Sequence, residues 1–335
     1  MLWHGDFQNA RQLVQAMARR VERKAGAKQR GRIVSTDSVV PEAKELFYRH
    51  RQALAQRAQL LGSLLIPLEA GYTVPLRRAP DVAQACMDVY GPFSEPMLVS
   101  LRELLGLIGA REWQKKGVDI EALGAKIHPH YGVFSPVRGE YLDLVARVPL
   151  PESLKRRAFD IGTGTGVLAA ILAKRGVSEI VATDQDPRAL ACAKENLDRL
   201  GLLKHVSVEY TDMFPQGRAA LIVCNPPWVP ATPSSPVERA IFDPDSRMLS
   251  AFLNGLTDHL EPDGEGWLIL SDLAEHLGLR TRQAFLTMVS KAGLRVAERH
   301  DIRPAHPKVG DATDPLHVAR AAEITSLWRL VAAKG

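Results

Sequence analysis

The chain is short of cysteine, of aromatic residues and of long apolar runs, and each shortage closes off a class of protein. Its three cysteines, Cys86, Cys192 and Cys224, are too few and too scattered across 335 residues for a disulfide framework or a metal cluster. A reducing, cytoplasmic setting is therefore expected, and no metal. Among the richest apolar stretches, residues 60–68 are cut by Gly62 and Pro67, well short of the roughly 18 residues that a membrane-spanning helix needs. Membrane association is not expected. The N-terminus lacks the continuous apolar segment of a secretory signal. Arg11, Arg19, Arg20 and Arg23, with few acids nearby, give it something of the look of an organelle leader, a reading that ranks below a plain solvated helix. With 46% hydrophobic and 24% charged residues, disordered and fibrous classes drop out, and one large core or two smaller ones are expected.

The net charge is +5, and much of the excess lies early. Arg19, Arg20, Arg23, Lys24, Lys28, Arg30 and Arg32 face only Glu22. Such a run suits nucleic acid, but no aromatics interleave with the charges and Gly26 and Gly31 interrupt it, so a solvated helix leading into a tether is the preferred reading. We take residues 1–39 as this basic segment. Residues 40–125 follow with apolar positions three and four apart at Leu46, Phe47, Leu54, Ala58, Leu61 and Leu65, and Gly71, Pro75, Pro80, Gly91, Pro92 and Pro96 divide them. This predicts an accessory helical domain of short helices, with one over residues 96–108. A third region, 126–335, opens with a pre-core segment over residues 126–156 and a helix from about Glu140.

From Arg157 the texture alternates. Strands are predicted over residues 158–161, 179–183, 206–210, 219–224 and 266–270, with helices from Gly166 and over residues 187–200. Two last strands, 296–302 and 326–331, lack a clear helix between them and suit an antiparallel pair at one edge. The expected class is α/β. A mostly parallel sheet that finishes in an antiparallel hairpin resembles the Rossmann-like seven-stranded sheet of class I methyltransferases.

The first predicted strand runs into Asp160-Ile161-Gly162-Thr163-Gly164-Thr165-Gly166, which opens a helix. Glycines there let backbone approach a ligand, and unpaired helix N–H groups point outward. Dinucleotide enzymes use G-x-G-x-x-G, whereas here the third glycine comes one residue early, and Asp160 would repel a pyrophosphate. A carboxylate there suits instead the cationic amino group of S-adenosyl-L-methionine, with Gly162, Thr163, Gly164 and Gly166 shaping the loop around it. Asp184 ends the second strand, where a carboxylate can take both ribose hydroxyls, and Gln185 borders the adenine. Asp186 before Pro187 reads first as a helix N-cap. Asp212 ends the third strand, where this fold places an acceptor for the adenine amine and Met213 or Phe214 against its ring; a simple turn residue is the alternative for Asp212.

The fourth strand runs into Asn225-Pro226-Pro227-Trp228. Two prolines stiffen the backbone and remove donors, leaving the Asn225 side-chain oxygen and the Pro226 carbonyl to accept from a substrate NH2. Trp228 offers a face for a planar amide or base. These four are the candidate catalytic residues, with Asn225, Pro226 and Trp228 also binding substrate and Asn225 bordering the cofactor. The bland alternative is a rigid turn capped by a core tryptophan.

Asp160 to Gly166, Asp184, Asp212 and Asn225 to Trp228, in this order, resemble the HemK/PrmC-type protein-glutamine methyltransferases and the related amino-methyltransferases acting on nucleobases. The resemblance covers roughly residues 128–271. Residues 134–140 are similar to the segment that closes over the cofactor in the glutamine enzymes, matching its proline-arginine-proline-glutamate-threonine-glutamate run at Pro136, Arg138 and Glu140. Trp228 stands where those enzymes usually carry tyrosine. The resemblance implies S-adenosylmethionine-dependent N-methylation, first of a protein glutamine, then of an RNA or DNA base or a small molecule; a non-catalytic scaffold is disfavoured because Asn225 is intact. His128 and His130 read as loop residues rather than a metal pair. His306, Lys308, His317, Asp311 and Asp314 occupy the link between the last two strands and either border the cleft or face solvent. Residues 230–236 read as a substrate-facing flap.

Overall fold

The computed structural model describes residues 1–33, 42–92, 95–137, 139–234, 237–305 and 310–333, with backbone alone for 24–33 and 237. The chain divides into two compact units, Met1–Lys115 and Lys116–Gly335. The division falls between Lys115 and Lys116, upstream of the break expected before Lys126. The reason is a hairpin over residues 118–127, whose Ile120 and Ile127 are buried in the core of the second unit.

In the first unit, α1 (Phe7–Ile33) starts where Asp6 accepts the Gln8 N–H at 2.8 Å, and it buries Phe7, Ala10 and Val14 at spacings of three and four. Its backbone stays helical through Gly26 and Gly31, where a break was expected. The charges of Lys24, Lys28, Arg30 and Arg32 lie outside the described side chains. Then come α2 (Ala43–Leu61), β1 (Leu65–Leu68), α3 (Ala83–Tyr90), β2 (Met97–Ser100) and α4 (Leu101–Lys116). The unit is thus not purely helical: β1 and β2 pair antiparallel, Leu65 opposite Ser100. Residues 97–100 were expected to be helical, but alternation of inward Ile66 and Leu68 on β1 gives them a strand partner.

The second unit contains β3 (Val118–Ile120), β4 (Ala125–Ile127), α5 (Glu140–Arg147), β5 (Arg157–Ile161), α6 (Val167–Lys174), β6 (Glu179–Asp184), α7 (Pro187–Arg199), β7 (Val206–Tyr210) and β8 (Ala219–Cys224). It continues with α8 (Arg247–His259), β9 (Leu260–Ser271), α9 (Leu273–His276), α10 (Arg282–Lys291), β10 (Leu294–Ile302), α11 (His317–Ala322) and β11 (Thr325–Ala332). Seven strands form one sheet in the order β10-β11-β9-β8-β5-β6-β7. The pairs from β9 through β7 are parallel, and β11 joins both β9 and β10 antiparallel. This is the expected Rossmann-like seven-stranded sheet of class I methyltransferases.

Strand periodicity of two assigns the faces. Ala158, Ile180, Leu221, Val223, Trp267 and Leu327 face a core built with α5, α6 and α7. Phe159, Ile161, Ile222, Cys224, Leu268 and Leu330 face one built with α8 and α10. The direction of strand addition reverses between β5 and β8, so their carboxyl ends flank the topological switch point where open α/β sheets hold ligands. The glycine loop and the Asn225 motif leave those two strands.

Gly166 serves packing as well as turning. It has φ +79°, and a Cβ there would lie 3.2 Å from the Ala193 Cα on α7. Gly166→Ala is expected to destabilise the fold by about 1–3 kcal/mol, read from urea denaturation midpoints.

Candidate active site

Asp160 shares the α6 face of β5 and is wholly buried. Its Oδ2 accepts from the Thr163 hydroxyl at 2.6 Å and from the Ala169 N–H at 3.1 Å, which ties the glycine loop to the first turn of α6. Its Oδ1 is buried and has no hydrogen-bond partner. Burial pushes its carboxyl up to about 6, against the two hydrogen bonds that pull it down, and the nearby Asp184 charge adds to the rise. A fully buried carboxylate with an unpartnered oxygen suits a cationic group. Gly164 adds room: at φ +55°, a Cβ there would meet nothing within 4 Å.

Gly162 has a different neighbour, since its Cβ would lie 2.6 Å from the Met248 Cε on α8. Thr163 donates its N–H to the Thr183 carbonyl at 2.9 Å, holding the loop against the end of β6. Asp184 then accepts from the Gly164 N–H at 3.1 Å and from the Asp186 N–H at 2.9 Å. Burial raises its carboxyl above the ordinary range. Two oxygens oriented by backbone retain lone pairs for a pair of hydroxyls. These residues therefore fit S-adenosylmethionine: a buried anion toward its amino group, open space at Gly164 and an oriented carboxylate one strand away.

Gln185 is exposed beside Asp184. Asp186 is the N-cap of α7, accepting the Arg188 N–H at 2.9 Å and pairing with the Arg188 side chain at 2.8 Å. Asp212 is exposed. Met213 takes φ +74°, and its carbonyl accepts from the Thr183 hydroxyl at 2.7 Å. Phe214, offered as an adenine contact, stacks instead on His259, with centroids 4.4 Å apart, and on Phe252.

Asn225 is half-buried, and its Oδ1 accepts from the Trp228 indole N–H at 2.8 Å. An indole is donor only, so this contact decides which end of the carboxamide is oxygen, and it uses one of that oxygen's two lone pairs. Trp228 is half-buried and packs against both core clusters. Its ring therefore serves the core and Asn225, where a free stacking face was expected. Pro226 is buried and Pro227 half-buried.

Other positions were not legible in advance. Asp243 is buried and accepts from the Met248 and Leu249 N–H groups at 3.0 and 3.1 Å, while its own N–H reaches the Val229 carbonyl at 2.9 Å. The segment after the motif is thereby closed on itself, with Val229 bridged to Phe242. The expected flap residues 235 and 236 lie outside the described residues. The Arg239 charge in this segment acts on Asp186 and lowers its carboxyl, behind the larger effect of Arg188. Asn196 is buried on α7, accepts the His128 N–H at 2.8 Å and donates to the Thr165 carbonyl at 3.1 Å, joining the pre-core segment to the glycine loop. A polar residue on the Ala189, Cys192, Ala193 face was its signal. His130 pairs with Glu195 at 2.7 Å, and the His128 ring lies beside Gly117. Glu140 is buried at the start of α5, and Arg138 lies outside the described residues. So do His306 and Lys308; Asp314 pairs with Arg320 at 2.8 Å.

A sheet of this order, with a glycine loop and an Asn-Pro-Pro-Trp turn at its switch point, defines a class I methyltransferase domain. Residues 124–288 match the family described as Methyltransferase small domain. A protein of Methanocaldococcus jannaschii named for N5-glutamine methylation is 29% identical over 166 residues, covering 47% of this chain and 80% of that one. The release factor glutamine methyltransferase of Cereibacter sphaeroides is 37% identical over 111 residues, 32% of this chain and 36% of its own. The tRNA1(Val) (adenine(37)-N6)-methyltransferase of Vibrio campbellii is 28% identical over 160 residues, 46% and 64% of the two chains. Over these residues the second unit is similar to S-adenosylmethionine-dependent methyltransferases of class I fold, relatives named for glutamine methylation among them. No helix among the described residues is long and apolar enough to cross a membrane.

Because the folded-state pKa of Asp160 is raised from 3.8 to about 6, ionising it opposes folding. That cost is absent below about pH 4, grows as pH rises through about 6 and levels off near 3 kcal/mol, as an order of magnitude. Asp160→Asn does not ionise, so its stability relative to the cofactor-free wild type is expected to rise between about pH 4 and pH 7, read by urea denaturation. A difference that does not vary with pH would contradict the assignment. The same variant is expected to bind S-adenosylmethionine more weakly by calorimetry.

Proposed function

We propose that this protein methylates a planar amide nitrogen, that of a glutamine side chain in a protein substrate. The observation that carries the reading is the Asn225 carboxamide, held by Trp228 at the carboxyl end of β8 beside the glycine loop. One Asn225 Oδ1 lone pair remains, and the Pro226 carbonyl is a second acceptor in a turn from which two prolines have removed the N–H donors. Two acceptors match the two hydrogens of an NH2 group.

An amide nitrogen is a weak nucleophile because its lone pair is delocalised into the carbonyl. Holding both hydrogens turns the amino group and draws density back to nitrogen, while the stiff turn fixes its approach. Asp160, Gly164 and Asp184 would hold S-adenosylmethionine, which supplies an electrophilic methyl group on a sulfonium. The Asn225 and Pro226 oxygens also stabilise the positive charge that develops on nitrogen as it is alkylated. The names of the relatives from M. jannaschii and C. sphaeroides support a glutamine acceptor.

A nucleobase amine is the second reading, because the same two acceptors would grip it. The V. campbellii relative supports it, and so does the distribution of charge. Met1–Lys115 holds 17 of the 43 Lys and Arg against 11 of the 38 Asp and Glu, leaving 26 against 27 for the second unit. All of the positive excess is therefore in the first unit, where a polyanion would be attracted. The glutamine reading is preferred because the sequence of that unit carries no recognised nucleic-acid-binding motif.

Asn225→Ala is expected to lower turnover on a purified release factor by about 10²- to 10³-fold, the usual loss when a transition-state contact is removed. Its S-adenosylmethionine affinity should stay within a few-fold of wild type by calorimetry. Turnover equal to wild type would refute the two-acceptor grip.

A further inference from the structure

The Asn225 turn has a mechanical problem that its own sequence creates. Pro226 and Pro227 carry no N–H, so the turn cannot be tied down by backbone donors at those two positions. Its anchors must come from elsewhere. Val229 supplies two, donating to the Ile241 carbonyl at 3.2 Å and accepting from the Asp243 N–H at 2.9 Å. Trp228, whose indole orients Asn225, has its carbonyl held by a side chain 52 residues further on: Arg280 Nη2 donates to it at 3.4 Å.

Arg280 sits between α9 and α10, and its surroundings are unusual for a guanidinium. Nη1 donates to the Ser246 hydroxyl at 3.2 Å, and Nε is buried with no partner. Among the described residues, no carboxylate is close enough to form an ion pair with it. The two acids whose charges reach it are committed elsewhere, Asp243 to the N–H groups of α8 and Glu275 to Arg282 at 2.6 Å. Burial accordingly disfavours its charged form relative to water. A methionine would fill similar volume without desolvating a cation, so packing alone does not account for arginine here. What a methionine cannot do is bridge two segments with one planar fork.

Those segments flank the acceptor site. One is the Asn225 turn. The other is the start of α8, where Asp245 and Ser246 both take left-handed backbone, φ +54°, and Met248 lies against Gly162 of the cofactor loop. Left-handed residues other than glycine are strained and persist only where their surroundings hold them.

We propose that Arg280 is a positioning residue for methyl transfer: it fixes the Trp228 backbone against the start of α8, so that the indole N–H holds the Asn225 carboxamide ready for the acceptor amine. The proposal rests on the two-acceptor reading of Asn225. It makes Arg280 and Trp228 links of one chain that ends on a single oxygen, and links in one chain are not independent.

The test measures single-turnover methyl transfer from radiolabelled S-adenosylmethionine to whichever extract fraction the wild type labels, with cofactor affinity by calorimetry. Arg280→Met and Trp228→Phe are each expected to slow transfer by about tenfold or more while cofactor affinity stays within about twofold. Arg280→Lys should recover part of the rate, since it keeps the charge and one donor. The double variant R280M/W228F should be no slower than the slower single variant. Multiplying losses, an unchanged rate in Arg280→Met, or a loss seen only as weaker cofactor binding would overturn the proposal. Should Arg280→Met not fold, the cycle is run with Arg280→Lys, whose smaller loss must likewise not multiply with that of Trp228→Phe; multiplying losses or a rate equal to wild type would overturn the proposal. Asn225→Ala separates the two claims. If it is inactive while the Arg280 variants are normal, only the positioning role fails; if it is active, the reading of Asn225 fails and the positioning role with it.

Discussion

The buried carboxylate of Asp160 is the constraint on which the site turns. One of its oxygens binds the Thr163 hydroxyl and the Ala169 N–H, so the same group that ends β5 also shapes the glycine loop and starts α6. The other oxygen is buried and unpartnered. An arrangement of that kind is costly in the protein alone and becomes favourable when a cation arrives. On the proposed reading, the fold stores there part of the free energy that cofactor binding releases. Asp184 extends the arrangement one strand over, because one of its oxygens accepts from the Gly164 N–H of the loop that Asp160 holds and the other from the Asp186 N–H.

The acceptor side is built on a complementary principle. Asp160 is rigid because it is hydrogen-bonded locally, whereas the Asn225 turn has given up local hydrogen bonds to its prolines and is held from a distance. Val229, Asp243 and Arg280 connect it to α8 and to the segment before α10. On the proposed reading, donor and acceptor chemistry meet at the switch point of the sheet, where Met248 lies against Gly162.

Most of this was legible where local rules decide. β7 and β8 were placed to the residue, and β5 and β6 nearly so, because their apolar runs are bounded by turns. Asp186 before Pro187 declared itself as a cap. β9 is longer than expected, beginning at Leu260, because Pro262 and Gly264 disguised its first half. Residues 97–100 looked helical because four apolar or small residues show no period until a partner strand exists. Long-range partners stayed hidden. Nothing near Arg280 in sequence points to the Trp228 carbonyl, and nothing in the motif itself says that the indole turns toward Asn225 rather than toward a substrate.

The central claim is transfer of a methyl group to a protein amide nitrogen, and the destination of the label tests it most directly. Purified protein is incubated with S-adenosylmethionine labelled in its methyl group and a fractionated cell extract, and the labelled material is digested with protease or nuclease and analysed by mass spectrometry. The account predicts protease-sensitive label residing on a glutamine side-chain nitrogen. Label released only by nuclease, on a base amine, or confined to small molecules would contradict it.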